Sequence, residues 1–427
     1  MIEHSTEHTR ERAVLAGLSA PAMEPDERSD ETSMAELAAL LETAGGQAVA
    51  VTLQQRDAPD PRSFLGAGKV RELKSLIEAN ECTLAVFDNE LSPSQARVLE
   101  AELGVRVLDR SGLILDIFAS RAATHEGRLQ VALAQYKYLL PRLTGMWTHL
   151  VRQTAAGGSS PIGTRGPGET QLETDRRHIR RRIQKLEAEL EQVRRVRATQ
   201  RRRREKNAMP VIALVGYTNV GKSTLLNRLT DSDIHTGDRL FDTLDTTTRR
   251  LTLPQGGQAL LSDTVGFIRK LPTHLIEAFK ATLEELTYAD VLLHVIDASN
   301  PDWERQAAVA DALILQLAGP QTPCLRVYNK CDRCAGELPR DRGGVHISAA
   351  TGEGVPALLQ AIEQALGRDR REVTLLLPYA QAGLIDRLRR EASLRALDYE
   401  PEHIRVRAVV GPELYSGVKQ YLSREEA

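Results

Sequence analysis

Apolar positions along the chain fall into three kinds of pattern, and each kind marks a stretch of its own. From Met34 a helical stretch, MAELAALLETAG, closes at Gly45-Gly46, and a strand-like AVAVTL follows. TLAVFD, then SPSQARVLEAEL, then VRVLD repeat the theme, so strands alternating with helices predict a small α/β domain ending near Ser120. Ahead of it, Met1 to about Arg10 and Pro21 to Thr32 are polar and poor in large apolar groups. Residues 1–34 are therefore expected to form a loose tail and a flexible connection.

The second pattern is purely helical. Gly127 to Leu143 reads as one helix and Glu169 to about Lys206 as another, with a Gly/Ser/Pro stretch between them. In the later helix Ile179, Ile183, Leu186, Leu190, Val193 and Arg197 step by four, three, four, three and four, a heptad seam broken at its end by an arginine. A hairpin of two helices packed along that seam is the simplest reading.

From Val211 to about Leu366 strands and helices alternate again on a larger scale. The final segment, VTLLLPY, GLIDRLRREASLRAL, HIRVRAVV and PELYSGVKQYL, reads β-α-β-α. The expected fold class is α/β with five parts. They are a tail over 1–34, an N-terminal α/β domain over 35–125, a helical hairpin arm over 126–207, a nucleotide-binding domain over 208–368 and a small C-terminal α/β domain over 369–427.

Composition narrows the classes of function. The 427 residues are 41% hydrophobic, ample for several cores, and the net charge of -2 excludes a polycation that binds nucleic acid indiscriminately, so any basic surface must be local. Four scattered cysteines do not make a disulfide framework and favour a reducing compartment. The polar start of the chain lacks a signal-like apolar stretch, and no run reaches the ~18 apolar residues of a membrane span. A cytoplasmic monomer is expected, with room for a fraction held peripherally at a membrane.

Chemistry enters at Val211–Val215, a buried-strand run that feeds into Gly216-Tyr217-Thr218-Asn219-Val220-Gly221-Lys222-Ser223 and a helix from Thr224. This is G-x-x-x-x-G-K-S in the strand, loop, helix setting that a phosphate loop requires. Glycines let amides turn inward on the phosphates, the helix N-terminus adds positive potential, Lys222 bridges the outer phosphates and Ser223 Oγ ligates Mg²⁺. Further along, Asp263-Thr264-Val265-Gly266 follows the strand-like ALLS. Asp263 can hold the Mg²⁺ shell while the Gly266 amide meets the γ-phosphate.

Two more motifs select the base. In Asn329-Lys330-Cys331-Asp332, Asp332 can accept the two N–H groups of guanine while Lys330 lies along the ring; Ser348-Ala349-Ala350 can present an amide to the guanine O6. Adenine lacks that donor pair, so GTP is favoured over ATP. Between the first two motifs lies Phe241-Asp242-Thr243-Leu244-Asp245-Thr246-Thr247-Thr248, one of whose four threonines should complete the Mg²⁺ shell. Phe267 stands where many GTPases place a water-orienting glutamine, so slow intrinsic hydrolysis is expected unless a partner positions the water. K⁺ is a second candidate cation, seated through Asn219.

The chain resembles the HflX GTPases from about Glu11 to Leu422. The most specific stretches are Asp60-Pro61-Arg62-Ser63-Phe64-Leu65-Gly66-Ala67-Gly68-Lys69-Val70, Leu91-Ser92-Pro93-Ser94-Gln95, DRSGLILDIFASRA from Asp109, Arg165-Gly166-Pro167-Gly168-Glu169-Thr170 and GYTNVGKST from Gly216. The resemblance nominates Thr243, within Phe241–Asp245, as the Mg²⁺ ligand. It also implies GTP-dependent binding to the large (50S) ribosomal subunit, with roles in ribosome splitting or rescue or in subunit maturation. One departure is a slightly longer loop from Arg152 to Gly163.

The arm supports an RNA partner. Arg176 to Lys206 holds 14 Lys/Arg and only 4 Asp/Glu, too few acids to pair the bases along a solvated helix face. Gly157 to Gly168, with Arg165 inside it, would let backbone approach rRNA closely at the tip. Cys331-x-x-Cys334 has metal-like spacing but no second pair, and Gly66-Ala67-Gly68-Lys69 lacks full phosphate-loop spacing, so neither is assigned chemistry. Two rival functions remain: a nucleotide-driven RNA remodeller with ATPase activity in the N-terminal domain, and a non-ribosomal switch whose arm pairs with a protein.

Overall fold

The computed structural model describes residues 10–143, 167–205, 209–232, 237, 240–241, 247–254, 257–271, 286–318, 322–334, 336, 338–339, 341, 343–367, 371–410 and 412–423. They form two compact units. One comprises Met1–Arg194 with Gly237–Asp245 and Ile268–Ala281; the other comprises Arg195–Thr236, Thr246–Phe267 and Thr282–Ala427.

A parallel sheet of β1 (Arg12–Ser19), β2 (Gln47–Gln55), β3 (Leu84–Phe87) and β4 (Arg106–Asp109), in the order β2-β1-β3-β4, organises the first unit. The expected tail over 1–34 is corrected here, because Arg12–Ser19 is an inner strand with six consecutive buried residues. A strand covered on both faces shows no alternation, and AVLAGL is too short and small-sided to stand out between polar flanks. Helices α1 (Glu31–Thr43), α2 (Ala67–Ala79), α3 (Pro93–Leu103) and α4 (Arg110–Arg121) follow. Asp30 starts α1 with a reciprocal capping box to Ser33, Ser92 starts α3 likewise with Gln95, and Asp109 caps α4 through the Gly112 amide. Each such cap stabilises by about 1 kcal/mol.

Polar side chains gather at the C-terminal ends of these strands. Asn89 accepts from Leu18 N at 2.9 Å, which ties β1 to the end of β3. Asp109 accepts from Tyr138 Oη at 2.7 Å and from Arg142 Nη2 at 2.7 Å, which fixes α5 (His125–Arg142) to the end of β4. Leu129 and Leu133 of α5 bury against Leu186 and Leu190 of α6 (Pro167–Glu205), with Ile183 and Val193 beside them. Those are the heptad positions read from the sequence, and each fully buried leucine contributes roughly 1.5–3 kcal/mol. The expected Gly-rich tip lies outside the described residues as far as 166, and Pro167-Gly168 open α6.

Two sheets occupy the second unit. The larger contains β5 (Val211–Gly216), β6 (Thr247–Thr252), β7 (Gln258–Asp263), β8 (Val291–Asp297), β9 (Cys324–Asn329) and β10 (Val345–His346), in the order β10-β9-β8-β5-β7-β6. All pairings are parallel except β6 with β7. Helices α7 (Lys222–Thr230), α8 (Trp303–Leu317) and α9 (Val355–Gly367) accompany this sheet. The smaller sheet is antiparallel, β11 (Arg371–Leu377), β13 (Ile404–Val410) and β12 (Ser393–Tyr399), with α10 (Gly383–Glu391) and α11 (Pro412–Val418).

GLIDRLRREASLRAL is not one helix: it breaks at Ala392, and Ser393–Tyr399 is a strand. Leu394 pairs with Ala408 and Leu397 with Val406, with a register irregularity between Leu394 and Ala396. That bulge adds one residue, so inward leucines fall three apart and imitate helical spacing. No helix among the described residues is long and apolar enough to cross a membrane.

Candidate nucleotide site

β5 ends at Gly216, and the loop that follows turns back through two left-handed residues, Asn219 at φ 59° and Gly221 at φ 91°, before α7 begins at Lys222. Glycine is required at 221, because a Cβ there would overlap Asn329 Nδ2. Lys222 is buried inside the loop, its Nζ donating to the carbonyls of Gly216 at 3.1 Å and Tyr217 at 2.6 Å. Burial pushes this ammonium down to about 8, against a smaller opposing pull from Asp263. A cation so poorly hydrated gains more from an arriving phosphate than one already in water.

The carboxylate of Asp263, at the end of β7, accepts from Ser223 Oγ at 2.7 Å. Two hard oxygen groups meeting beside a phosphate loop fit the donor set Mg²⁺ prefers. Thr264 points the other way, its hydroxyl donating to Leu214 O at 2.6 Å, and Val265 is buried. At Gly266 a Cβ would lie 2.9 Å from Thr218 Cα and 3.0 Å from Lys222 Nζ, so only glycine brings this amide against the phosphate loop. Phe267 is pinned in the same loop: its amide donates to Gly216 O at 3.0 Å, and its carbonyl accepts from Thr218 N at 2.7 Å. Its ring is buried, with no group for holding water.

The two motifs expected to read the base are joined by one side chain. Buried Asn329 donates through Nδ2 to Val220 O at 2.8 Å and accepts through Oδ1 from Ala349 N at 2.9 Å, so it joins the phosphate loop to the 348–350 turn. Lys330, at φ 62°, donates to Asn219 O at 2.7 Å and pairs with Asp297 at 2.7 Å. Cys331 and Asp332 lie in a short 3-10 turn; the Cys331 thiol donates back to Tyr328 O, while Asp332 is exposed. Ser348 is buried, its Oγ accepting from Thr351 N at 3.1 Å, and Ala350 is exposed. The Ala349 amide is thus taken up by Asn329.

Phe241 is buried and meets Phe118 edge-on at 4.7 Å in the first unit. Asp242, Thr243, Leu244 and Asp245 lie outside the described residues. Two contributors escaped the sequence reading. Arg228 of α7 donates to Ala349 O at 3.0 Å and also to Ala350 O, and nothing about an arginine on a helix marks it for that work. Asp297, the Lys330 partner, ends the apolar run VLLHVID, and a carboxylate at a strand's C-terminal end was a readable signal.

Residues 31–119 match the family described as GTP-binding GTPase N-terminal, 121–204 the GTP-binding GTPase Middle Region, and 211–330 the 50S ribosome-binding GTPase. The chain is 44% identical to the GTPase HflX of Caldanaerobacter subterraneus subsp. tengcongensis, over 97% of this chain and 94% of that one. It is 47% identical to that of Lacrimispora saccharolytica, over 96% and 95% of the two chains. With that of Escherichia coli (strain K12) the identity is 45%, over 84% of each. A GTP-binding protein from Sulfolobus solfataricus, solved in complex with GDP, is similar at 23% identity and a TM-score of 0.44, covering 83% of this chain and 98% of that one.

Proposed function

The chain belongs to the HflX family of GTP-hydrolysing proteins, and from that premise we propose that it grips the large ribosomal subunit when loaded with GTP and lets go after hydrolysis. It is a GTPase with a domain of the ribosome-binding kind. The observation that supports the nucleotide half of this reading is the Asn329 tie, which joins the phosphate loop to the 329–332 and 348–350 turns.

In that seat Lys222 and the loop amides hold the β- and γ-phosphates, Asp332 and the Ala350 amide read guanine, and the Gly266 amide senses the γ-phosphate. Ser223 and Asp263 would hold Mg²⁺, with Thr243 as a further ligand. The ion, when bound, neutralises charge building on the phosphates. Phe267 offers neither donor nor acceptor through its ring, so water positioning falls to another group, supplied by the ribosome in our reading. Asn219, exposed at the loop's crest, is a K⁺ ligand in this scheme, and equal turnover in KCl and NaCl would remove it.

Contact with rRNA is assigned to α6. Arg180, Arg181 and Arg182 are exposed on it, and phosphate binding by such a helix releases counterions. The cellular task is splitting or rescue of ribosomes or maturation of the subunit. Sedimentation through sucrose gradients with a non-hydrolysable GTP analogue or GDP, at two salt concentrations, tests this. Co-migration with the large subunit should require the analogue and weaken as salt rises; ribosome binding that ignores the nucleotide would refute it.

A further inference from the structure

Ser348 closes the 348–350 turn at its foot: its amide donates to Glu353 O at 3.0 Å, its carbonyl accepts from Gly352 N at 2.8 Å, and its Oγ accepts from Thr351 N at 3.1 Å. Ile347 N donates to Tyr328 O at 2.8 Å, Ala349 N to Asn329 Oδ1 at 2.9 Å and Glu353 N to Thr351 Oγ1 at 3.3 Å. From 347 to 353, Ala350 is thus the one residue whose amide has no acceptor among the described residues. It stands exposed at the crown of the turn.

The crown is held from outside by one side chain. Arg228 Nε donates to Ala349 O at 3.0 Å, and its Nη2 donates to Ala350 O. A basic side chain in the last turn of a helix commonly serves that helix's own carbonyls. This one reaches across 121 positions instead, and the residues concerned all fold within the second unit. A guanidinium presents its donors as a planar fork, so two successive carbonyls on one fork have their direction fixed as well as their distance. The peptide between Ala349 and Ala350 is trans, which puts its carbonyl and its N–H on opposite sides. With the Ala349 carbonyl on Arg228, the free Ala350 N–H is turned away from the guanidinium. Helix α7 links this hold to the phosphates: it opens with Lys222 and Ser223 and carries Arg228 about 9 Å further on, at about 1.5 Å per residue.

We infer that Arg228 is a positioning residue for guanine selection: by holding the carbonyls of Ala349 and Ala350 it aims the free Ala350 amide at the 6-oxo group of the base. Arg228 touches no nucleotide and acts through the turn. Lysine, a point charge without a fork, reaches one carbonyl and is a poor substitute. The inference rests on the guanine reading proposed above, whose own failure would show in the unaltered protein.

Arg228→Met and Arg228→Lys in the full chain, titrated with GDP and with the 2-aminopurine riboside diphosphate that lacks the 6-oxo group, test it. The parent should prefer GDP by at least about tenfold, since a site built to donate to an oxygen rejects the base without it. Arg228→Met should lower GDP affinity at least about fivefold and leave that of the 2-aminopurine nucleotide within about twofold, so the preference shrinks; Arg228→Lys should recover only part of the loss. Equal losses for both nucleotides would mark a merely structural arginine and overturn the proposal, as would unchanged GDP affinity. A parent that binds the two nucleotides equally overturns the guanine reading and the inference with it. Amide hydrogen exchange in the unaltered protein adds a measurement that no misfolded variant can confuse. GDP should slow exchange at Ala350 and the 2-aminopurine nucleotide should not; equal exchange there with the two nucleotides overturns the proposal as well.

Discussion

Replacing Asn329 by alanine removes a side chain that joins three of the four nucleotide loops. Nδ2 leaves Val220 O and Oδ1 leaves Ala349 N, and both residues are buried, at 1% and 3% exposure. An orphaned buried donor or acceptor costs about 1–3 kcal/mol. Two of them cost roughly 2 kcal/mol at the least, by the same measure. A nucleotide-free protein escapes much of that cost by letting the loops part and water enter. Bound GDP or GTP must close them again, so the cost falls mainly on binding. At about 1.4 kcal/mol per decade, GDP and GTP affinity should fall roughly thirtyfold or more. Titration with a fluorescent GDP analogue reads this directly, and thermal unfolding with and without GDP separates it from general instability. If Asn329→Ala binds GDP within about threefold of the parent at an unchanged unfolding temperature, the tie does not organise the site and the reasoning fails.

Other consequences follow from the same geometry. Lys222 has its ammonium lowered from 10.5 to about 8, so between those values the unfolded chain keeps a proton the folded chain has lost, and stability without nucleotide rises with pH there. Phosphate needs the charged form, so above about pH 8 affinity should drop up to tenfold per unit with proton uptake on binding. Calorimetry at about pH 8.5 in two buffers of different ionisation heat should show it, and identical heats would contradict it. Asp332→Asn should shift base preference, with XTP competing better than GTP, because xanthine carries a carbonyl where guanine carries its amino group; retained GTP preference would be the contrary result. Gly266→Ala puts a methyl 2.9 Å from Thr218 Cα, a backbone atom that cannot yield cheaply. GTP hydrolysis should then fall by about tenfold or more while GDP binding changes little, and a parallel loss of both would point to simple misfolding.

Local spacing by itself determined the phosphate loop, the order of the guanine motifs and the helical seam of the arm. A strand, a tight glycine turn and a helix start are set by neighbours along the chain, and Leu186 and Leu190 face one way because four residues make about one helical turn. Only the tertiary structure decided that Arg12–Ser19 is an inner strand and that Ser393–Tyr399 leaves its helix, since burial on both faces and a bulge against β13 erase the period that would betray them. It alone joined Asn329 to Val220 across 109 positions and Lys270 to Asp88 across 182. Such pairs leave no periodic trace: an asparagine or lysine reads the same in solvent as in a closed polar site, until the fold removes the water around it.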